Sequence, residues 1–219
     1  MKYENVLFDL DGTVTDSSDG VINSVVYSLN KFGIHDIDRN ELYAFIGPPL
    51  RDSYSRYYGI TGDTAERVVA SYREYYERDG ILENTVYDGV EKILIYLNEK
   101  KANVFLATSK PEVYARKIMK RYGIDKYFKD IVGSNLDGTR ENKEEVISHL
   151  IEKNELKDLS NIVMIGDRKY DILGAKSVGI DSIGILYGYG VVKEFEEAGA
   201  THIIEDTKEL LEFFKEEAK

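Results

Sequence analysis

Hydrophobic residues in this chain gather in short unbroken runs, separated by longer stretches whose apolar positions recur at helical intervals. Five runs, Val6–Leu10, Asn103–Ala107, Ile131–Gly133, Ile162–Ile165 and Ser182–Leu186, read as buried strands. A weaker sixth covers Thr201–Ile204, ahead of a polar closing helix expected near Lys208–Lys219. Most strands are separated by helical spacing of the kind seen in Val90, Ile93, Leu94 and Leu97. Strands alternating with helices predict an α/β fold, a doubly wound parallel sheet covered on both faces.

One interval breaks this rhythm. Between the first and second strands lie the residues from roughly Asp16 to Thr85, far more than one crossover helix requires. Their patterns are helical: Val21, Val25, Val26 and Leu29; Leu50, Tyr54, Tyr57 and Tyr58; Val68, Val69, Tyr72 and Tyr76. Turn signals at Phe32-Gly33, Gly47-Pro48-Pro49 and Thr61-Gly62-Asp63 punctuate them. The expected organisation is a core of residues 1–15 and 84–219 with an α-helical cap domain, residues 16–83, inserted after the first strand. At 219 residues the chain is long enough for one sizeable core and such an insertion.

Charge narrows the partners. Forty acidic against 29 basic residues give a net charge of -11, which argues against a nucleic-acid polymer as partner. A small anion is still acceptable, because a lysine, an arginine or a metal ion reverses the field within one cleft. Cysteine is absent, which removes disulfides, thiolate metal sites and cysteine nucleophiles. The first residues resemble neither a signal peptide nor a membrane span, and no segment holds about 18 uninterrupted apolar residues. A cytoplasmic protein acting as a monomer or homodimer, with no membrane partner, is the expectation.

In open α/β sheets, ligands bind beyond the carboxyl ends of the strands, so the residues just past each run are the informative ones. After the first come Asp9, Asp11, Gly12 and Thr13; after the second, Thr108, Ser109 and Lys110; after the fourth, Gly166, Asp167 and Asp171. The third leads through a loop to Lys143. Asp9 and Asp11, two apart at a strand end, should point the same way, one suited to nucleophilic attack and the other to carrying a proton. An Asx-type turn would also place acids there, but an aspartate inside the apolar run Val6–Leu10 costs several kcal/mol unless partnered. Gly12 permits a tight turn whose following amides would face phosphoryl oxygens. An EF-hand fails, because its sixth position is Val14 and its twelfth Gly20.

Asp167 and Asp171 would share a helix face if a helix begins just after Gly166, although Asp167 also reads as a helix cap. Asp9, Asp11 and Asp167 would form the protein side of a Mg²⁺ site, with Asp171 behind them. Thr108 stands where a hydroxyl meets phosphate or caps the helix after Pro111. Lys143 sits in Asn142-Lys143-Glu144-Glu145, a capping box in which a cation opposes the helix dipole, so a carboxylate and a phosphate are its expected partners. Lys110 competes for that role. Arg51, after the stiff Gly47-Pro48-Pro49-Leu50 turn, would grip the distal part of a substrate. The histidines, His35, His149 and His202, lie away from every motif, and Gly184, Gly188 and Gly190 make no dinucleotide fingerprint.

Taken in order, Asp9-Leu10-Asp11-Gly12-Thr13, the Thr108 hydroxyl, Lys143 and Gly166-Asp167-Arg168-Lys169-Tyr170-Asp171 resemble the four motifs of the haloacid dehalogenase-like hydrolases, over essentially the whole chain. Phe45–Leu50 and Gly184–Gly190 add a likeness to the phosphoglycolate phosphatase and 5′-nucleotidase branch, with its small helical cap. The resemblance implies that Asp9 attacks phosphorus to form an aspartyl-phosphate. It implies that Asp11 serves the leaving group and then water, and that Thr108 and Lys143 hold the phosphoryl group. It also implies Mg²⁺ on Asp9, the Asp11 carbonyl and Asp167. Gly12, Thr13, Ser109 and Arg51 are the expected substrate-binding residues. The expected function is a Mg²⁺-dependent phosphatase for a small phosphorylated metabolite, phosphoglycolate or a nucleoside 5′-monophosphate. A phosphomutase of the β-phosphoglucomutase type and a pyrophosphatase-like enzyme are the alternatives.

Overall fold

The computed structural model describes residues 2–217, which divide into two compact units. One comprises residues 2–16 and 86–217, the other Ser17–Thr85. The larger unit is built on six parallel strands: β1 (Asn5–Phe8), β4 (Asn103–Pro111), β5 (Asp130–Ser134), β6 (Ile162–Gly166), β7 (Asp181–Ile185) and β8 (His202–Ile204). Their spatial order is β5-β4-β1-β6-β7-β8. The short strands β2 (Thr15–Asp16) and β3 (Thr85–Val86) stand where the chain leaves and re-enters this unit. The Tyr87 amide donates to the Val14 carbonyl at 3.1 Å, so the two crossings are held side by side.

The central strands are apolar because no edge of theirs meets water. Every residue of β1 and β6 is buried. The helices are α4 (Val90–Glu99), α5 (Glu112–Tyr122), α6 (Lys143–Lys153), α7 (Lys169–Val178), α8 (Val192–Ala198) and α9 (Thr207–Glu216). The chain steps from β1 to β4 to β5 in one direction, then crosses back through α6 to β6, β7 and β8 in the other. Right-handed crossovers therefore place α4 and α5 on one face, α6, α7 and α8 on the opposite face. Consistent with this, α9 packs on α4, while α6, α7 and α8 pack in succession. Leu7, Phe105, Met164, Val146, Ile147 and Leu150 form the heart of the core under α6. Because β1 lies between strands reached in opposite directions, the carboxyl ends of β4, β1 and β6 border the switch-point crevice.

Two sequence expectations need correction. The second strand does not stop at Ala107: regular pairing with β5 ends there, shifts register, and resumes at Pro111 opposite Ser134. Thr108, Ser109 and Lys110 occupy this irregularity, the kind of kink that re-aims side chains beside functional sites. Likewise α7 begins at Lys169, not just after Gly166, so Asp167 precedes the helix and is not its cap. The closing helix runs over Thr207–Glu216, capped by Asp206, whose carboxylate accepts from the Lys208 and Glu209 amides; residues 218 and 219 lie outside the described residues.

The smaller unit is helical: α1 (Ser18–Lys31), α2 (Leu50–Tyr58) and α3 (Gly62–Arg78). Its core takes Val21, Val25 and Leu29 from α1, Tyr54 from α2, and Val68, Val69, Tyr72 and Tyr76 from α3. Of the tyrosines in the second helical pattern, Tyr54 is buried with its hydroxyl 2.6 Å from Ser28 Oγ. Phe45 packs against Tyr54, Tyr57 and Tyr58, with Tyr57 the most exposed of the three.

Candidate active site

β1 delivers Asp9 to the crevice. Its amide continues the sheet by donating to the Ile165 carbonyl (2.9 Å), so the acid is fixed as firmly as a strand residue. The chain then coils tightly. The amides of Thr13, Val14 and Thr15 all donate to the Leu10 carbonyl, and the Gly12 amide donates to Thr15. Gly12 adopts φ +87°, a left-handed conformation that suits glycine. This corrects one expectation: the amides from Gly12 onward donate within the turn and are not presented to a ligand. The Thr13 hydroxyl is buried without a hydrogen-bond partner.

Lys143 joins what the sequence separates. Its ammonium lies 2.7 Å from Asp9 Oδ1, 2.8 Å from Asp171 Oδ1 and 3.0 Å from the Ala107 carbonyl. The first turn of α6 positions it, with Glu145 accepting from the Asn142 amide at 3.3 Å as the returning half of the capping box. Burial works against the Lys143 charge, but the Asp171 and Asp9 carboxylates outweigh it and hold the ammonium well above its usual range. Lys110 takes a different partner, lying 2.8 Å from both carboxylate oxygens of Asp11. Its amide donates to Thr108 Oγ1 at 3.2 Å, which leaves the threonine's own proton to point elsewhere. The two lysines thus serve the two acids of the first motif separately.

Asp9, Asp167 and Asp171 bring carboxylate oxygens within 4.8 Å of one another, all three buried. Asp171 has both oxygens engaged, Oδ1 by Lys143 and Oδ2 by the Arg168 amide at 3.1 Å. Asp167 differs. Its Oδ2 accepts from the Tyr189 amide at 2.9 Å, but its Oδ1 is buried without a partner. Burial, then the Asp171 and Asp9 charges, push the Asp167 carboxyl well above the usual carboxylate range, the Tyr189 amide opposing. Burial raises Asp9 to about 6, with Lys143 opposing and Asp171 adding. With every group ionised, the carboxylates of Asp9, Asp11, Asp167 and Asp171 outnumber the ammonium groups of Lys110 and Lys143 by two. One divalent cation cancels that excess, and the orphaned Asp167 oxygen is a hard oxygen donor of the type Mg²⁺ accepts. The residues present therefore fit a Mg²⁺ ion.

Ser109 is half-buried between Thr108 and Lys110. Arg51 belongs to α2 of the smaller unit, where Nε and Nη2 lie 2.6 and 2.9 Å from the two carboxylate oxygens of Glu66. His202 packs on Phe213, and His35 pairs with Asn30.

Sequence reasoning missed the loop after β7. A side-chain carbon at Gly188 would collide with the Gly12 carbonyl and Asp167 Cβ, and one at Gly190 would collide with the Asp167 carbonyl. The signal was the glycine pair itself, read as a failed dinucleotide fingerprint and as part of a family likeness, when its neighbour in space is Asp167.

A parallel sheet whose strand ends gather acids, lysines and a hydroxyl in one crevice suits the handling of phosphate esters. The haloacid dehalogenase-like hydrolase model matches residues 6–185, and the chain belongs to that family. It is 42% identical to a 5′-nucleotidase of Pseudomonas aeruginosa over 94% of this chain and 93% of that one. It is 34% identical to the tyrosine-protein kinase PtkA of Mycobacterium tuberculosis over 90% of this chain and 66% of that one. The crystal structure of a predicted phosphatase from Clostridium acetobutylicum superposes with a TM-score of 0.95 at 42% identity, covering 99% of this chain and 100% of that one. No helix among the described residues is long and apolar enough to cross a membrane.

Proposed function

We propose that this phosphatase hydrolyses a small phosphomonoester through an aspartyl-phosphate on Asp9, with Mg²⁺ as cofactor, in the cytoplasm. The observation that carries the reading is the buried Asp9–Lys143 pair, 2.7 Å apart, set beside the orphaned oxygen of Asp167. A nucleophilic carboxylate must be ionised, and Lys143 opposes the burial that would protonate it. Asp9 attacks phosphorus while Thr108 and Lys143 hold the equatorial oxygens, Thr108 donating its hydroxyl proton. Asp11 protonates the departing oxygen, then accepts a proton from the water that hydrolyses the intermediate. Bound Mg²⁺ supplies positive charge to the phosphoryl oxygens, and Asp9 and Asp167 are the side chains that would hold it, with Asp171 steadying Lys143 and the start of α7.

The substrate reading rests on the family branch: 2-phosphoglycolate or a nucleoside 5′-monophosphate. The names of the relatives, a nucleotidase and a tyrosine kinase, share phosphorus chemistry and not an acceptor. We assign substrate choice to residues 17–85, acting as a cap, with Arg51 among its candidates.

The test is phosphate release across a panel of phosphomonoesters with Mg²⁺, run beside Asp9→Asn. Turnover of at least one small ester, abolished by chelation and reduced by about a thousandfold or more in the variant, is expected. Accumulation of an isomerised sugar phosphate without free phosphate would instead establish a mutase. Unchanged turnover in Asp9→Asn would remove Asp9 from the chemistry.

A further inference from the structure

The loop beyond β7 touches the candidate site at several points, through two tyrosine hydroxyls, one amide and two glycines. The Tyr187 hydroxyl donates to the Thr13 carbonyl at 3.1 Å, inside the turn beyond Asp11. The Tyr189 amide donates to Asp167 Oδ2, and the Tyr189 hydroxyl donates to Asp16 Oδ1 at 2.8 Å. Gly188 and Gly190 admit the backbones of Gly12 and Asp167 to distances that any Cβ would forbid. Tyr87, two residues past the second crossing, stacks edge-on against Tyr187 with ring centroids 5.2 Å apart.

These contacts join two segments whose backbones are also held by other elements. The turn after β1 already closes on itself through the Leu10 carbonyl, and β6 already fixes the backbone ahead of Asp167. Past the Asp9 amide on the Ile165 carbonyl, no backbone bond among the described residues ties the turn to Asp167. The β7 loop holds both, one with a tyrosine hydroxyl and the other with an amide.

We propose that Tyr187–Gly190 is a positioning element that locks the Asp11–Asp16 turn and the Asp167 carboxylate into one frame, with Tyr187 aligning the turn and Gly188 setting Asp167. It rests on the reading of Asp167 as a metal ligand and of Asp11 as the proton carrier. A supporting contact of this kind, acting through a ligand, governs metal affinity by about 10- to 100-fold. Misplacement of a reacting group by about 1 Å costs roughly a hundredfold in rate.

The two halves separate by experiment. Mn²⁺ binding, read by electron paramagnetic resonance without substrate, is compared with kcat and KM for wild type, Tyr187→Phe and Gly188→Ala, each checked by circular dichroism. Gly188→Ala is expected to weaken Mn²⁺ binding by about tenfold or more, because its methyl group meets Asp167 Cβ and the Gly12 carbonyl. Tyr187→Phe keeps the ring against Tyr87 and is expected to bind Mn²⁺ as wild type does, while kcat falls about tenfold with KM little changed. Wild-type kcat in folded Tyr187→Phe, or wild-type Mn²⁺ affinity in folded Gly188→Ala, overturns the proposal and leaves the phosphatase reading intact. Should Gly188→Ala fail to fold, the kcat of Tyr187→Phe decides alone. A wild-type protein that binds no Mn²⁺ overturns the metal reading, and this inference with it.

Discussion

At the scale of single residues, Asp9 is pulled in opposite directions. Burial raises its carboxyl to about 6, and the Lys143 ammonium pulls it down. The sign of the consequence comes from linkage. A carboxyl whose folded pKa exceeds its unfolded value of 3.8 favours the folded state at low pH and loses that contribution as pH rises through about 6. Asp167, shifted the same way, adds to the effect. Metal-free protein should therefore lose stability as pH rises from about 4 to about 7. A cation on these oxygens reverses the preference, since it binds the ionised form. Two measurements check this together. Urea midpoints in chelator should fall across that range and flatten in saturating Mg²⁺. The acid limb of kcat/KM should move to lower pH as Mg²⁺ is raised; a limb indifferent to Mg²⁺ would mean that Asp9 and the metal are not coupled.

At the scale of elements, the site depends on how closely α6 approaches α7. Gly174 of α7 faces Lys143, and a Cβ there would sit 2.9 Å from Lys143 Cγ, 3.0 Å from its Cβ and 3.1 Å from the Glu144 amide. Replacing a helical glycine by alanine ordinarily stabilises by about 1 kcal/mol. Here the methyl group meets the stem of a lysine whose far end is pinned by two carboxylates, so it cannot swing aside. Gly174→Ala should lower the urea midpoint instead of raising it, and lower kcat by displacing Lys143; a gain in stability with unchanged kcat would refute this packing argument. The same scale explains what was legible in advance. An acid closing an apolar run is visible in sequence because burial penalises it, so Asp9 and Asp167 stood out, and Lys143 did so through its conflict with a helix dipole. Asp171 gripping Lys143, Lys110 clasping Asp11 and the irregular end of β4 were not visible. Each depends on which strands neighbour one another, and β4 and β6 flank β1 although both come far later in the sequence. The contribution of Gly188 lay out of reach for the same reason: the space it vacates belongs to Asp167, 21 positions earlier.

At the scale of the whole molecule, chemistry and choice of substrate are assigned to different units, and that division can be tested by removal. Every residue placed in the reaction, Asp9, Asp11, Thr108, Lys143, Asp167 and Asp171, lies within residues 2–16 and 86–217. That unit has its own buried core, and the Tyr87 amide on the Val14 carbonyl brings the two ends of the excision together. Chain lost from an inserted segment costs little at such a closure, because loop entropy grows only slowly with length. Replacing residues 17–85 by a short Gly-Ser linker should therefore leave a folded protein that binds Mn²⁺ with near wild-type affinity. Its rate on a small activated ester such as p-nitrophenyl phosphate should survive in part, since the side chains that meet phosphorus are all retained. Discrimination among phosphomonoesters should collapse, because the residues proposed to contact the rest of the substrate are gone. The informative quantity is the ratio of kcat/KM between the best natural ester and p-nitrophenyl phosphate, compared before and after excision. A ratio preserved within about twofold would place selectivity in the strand-end crevice itself, and the helical unit would lose the role given to it.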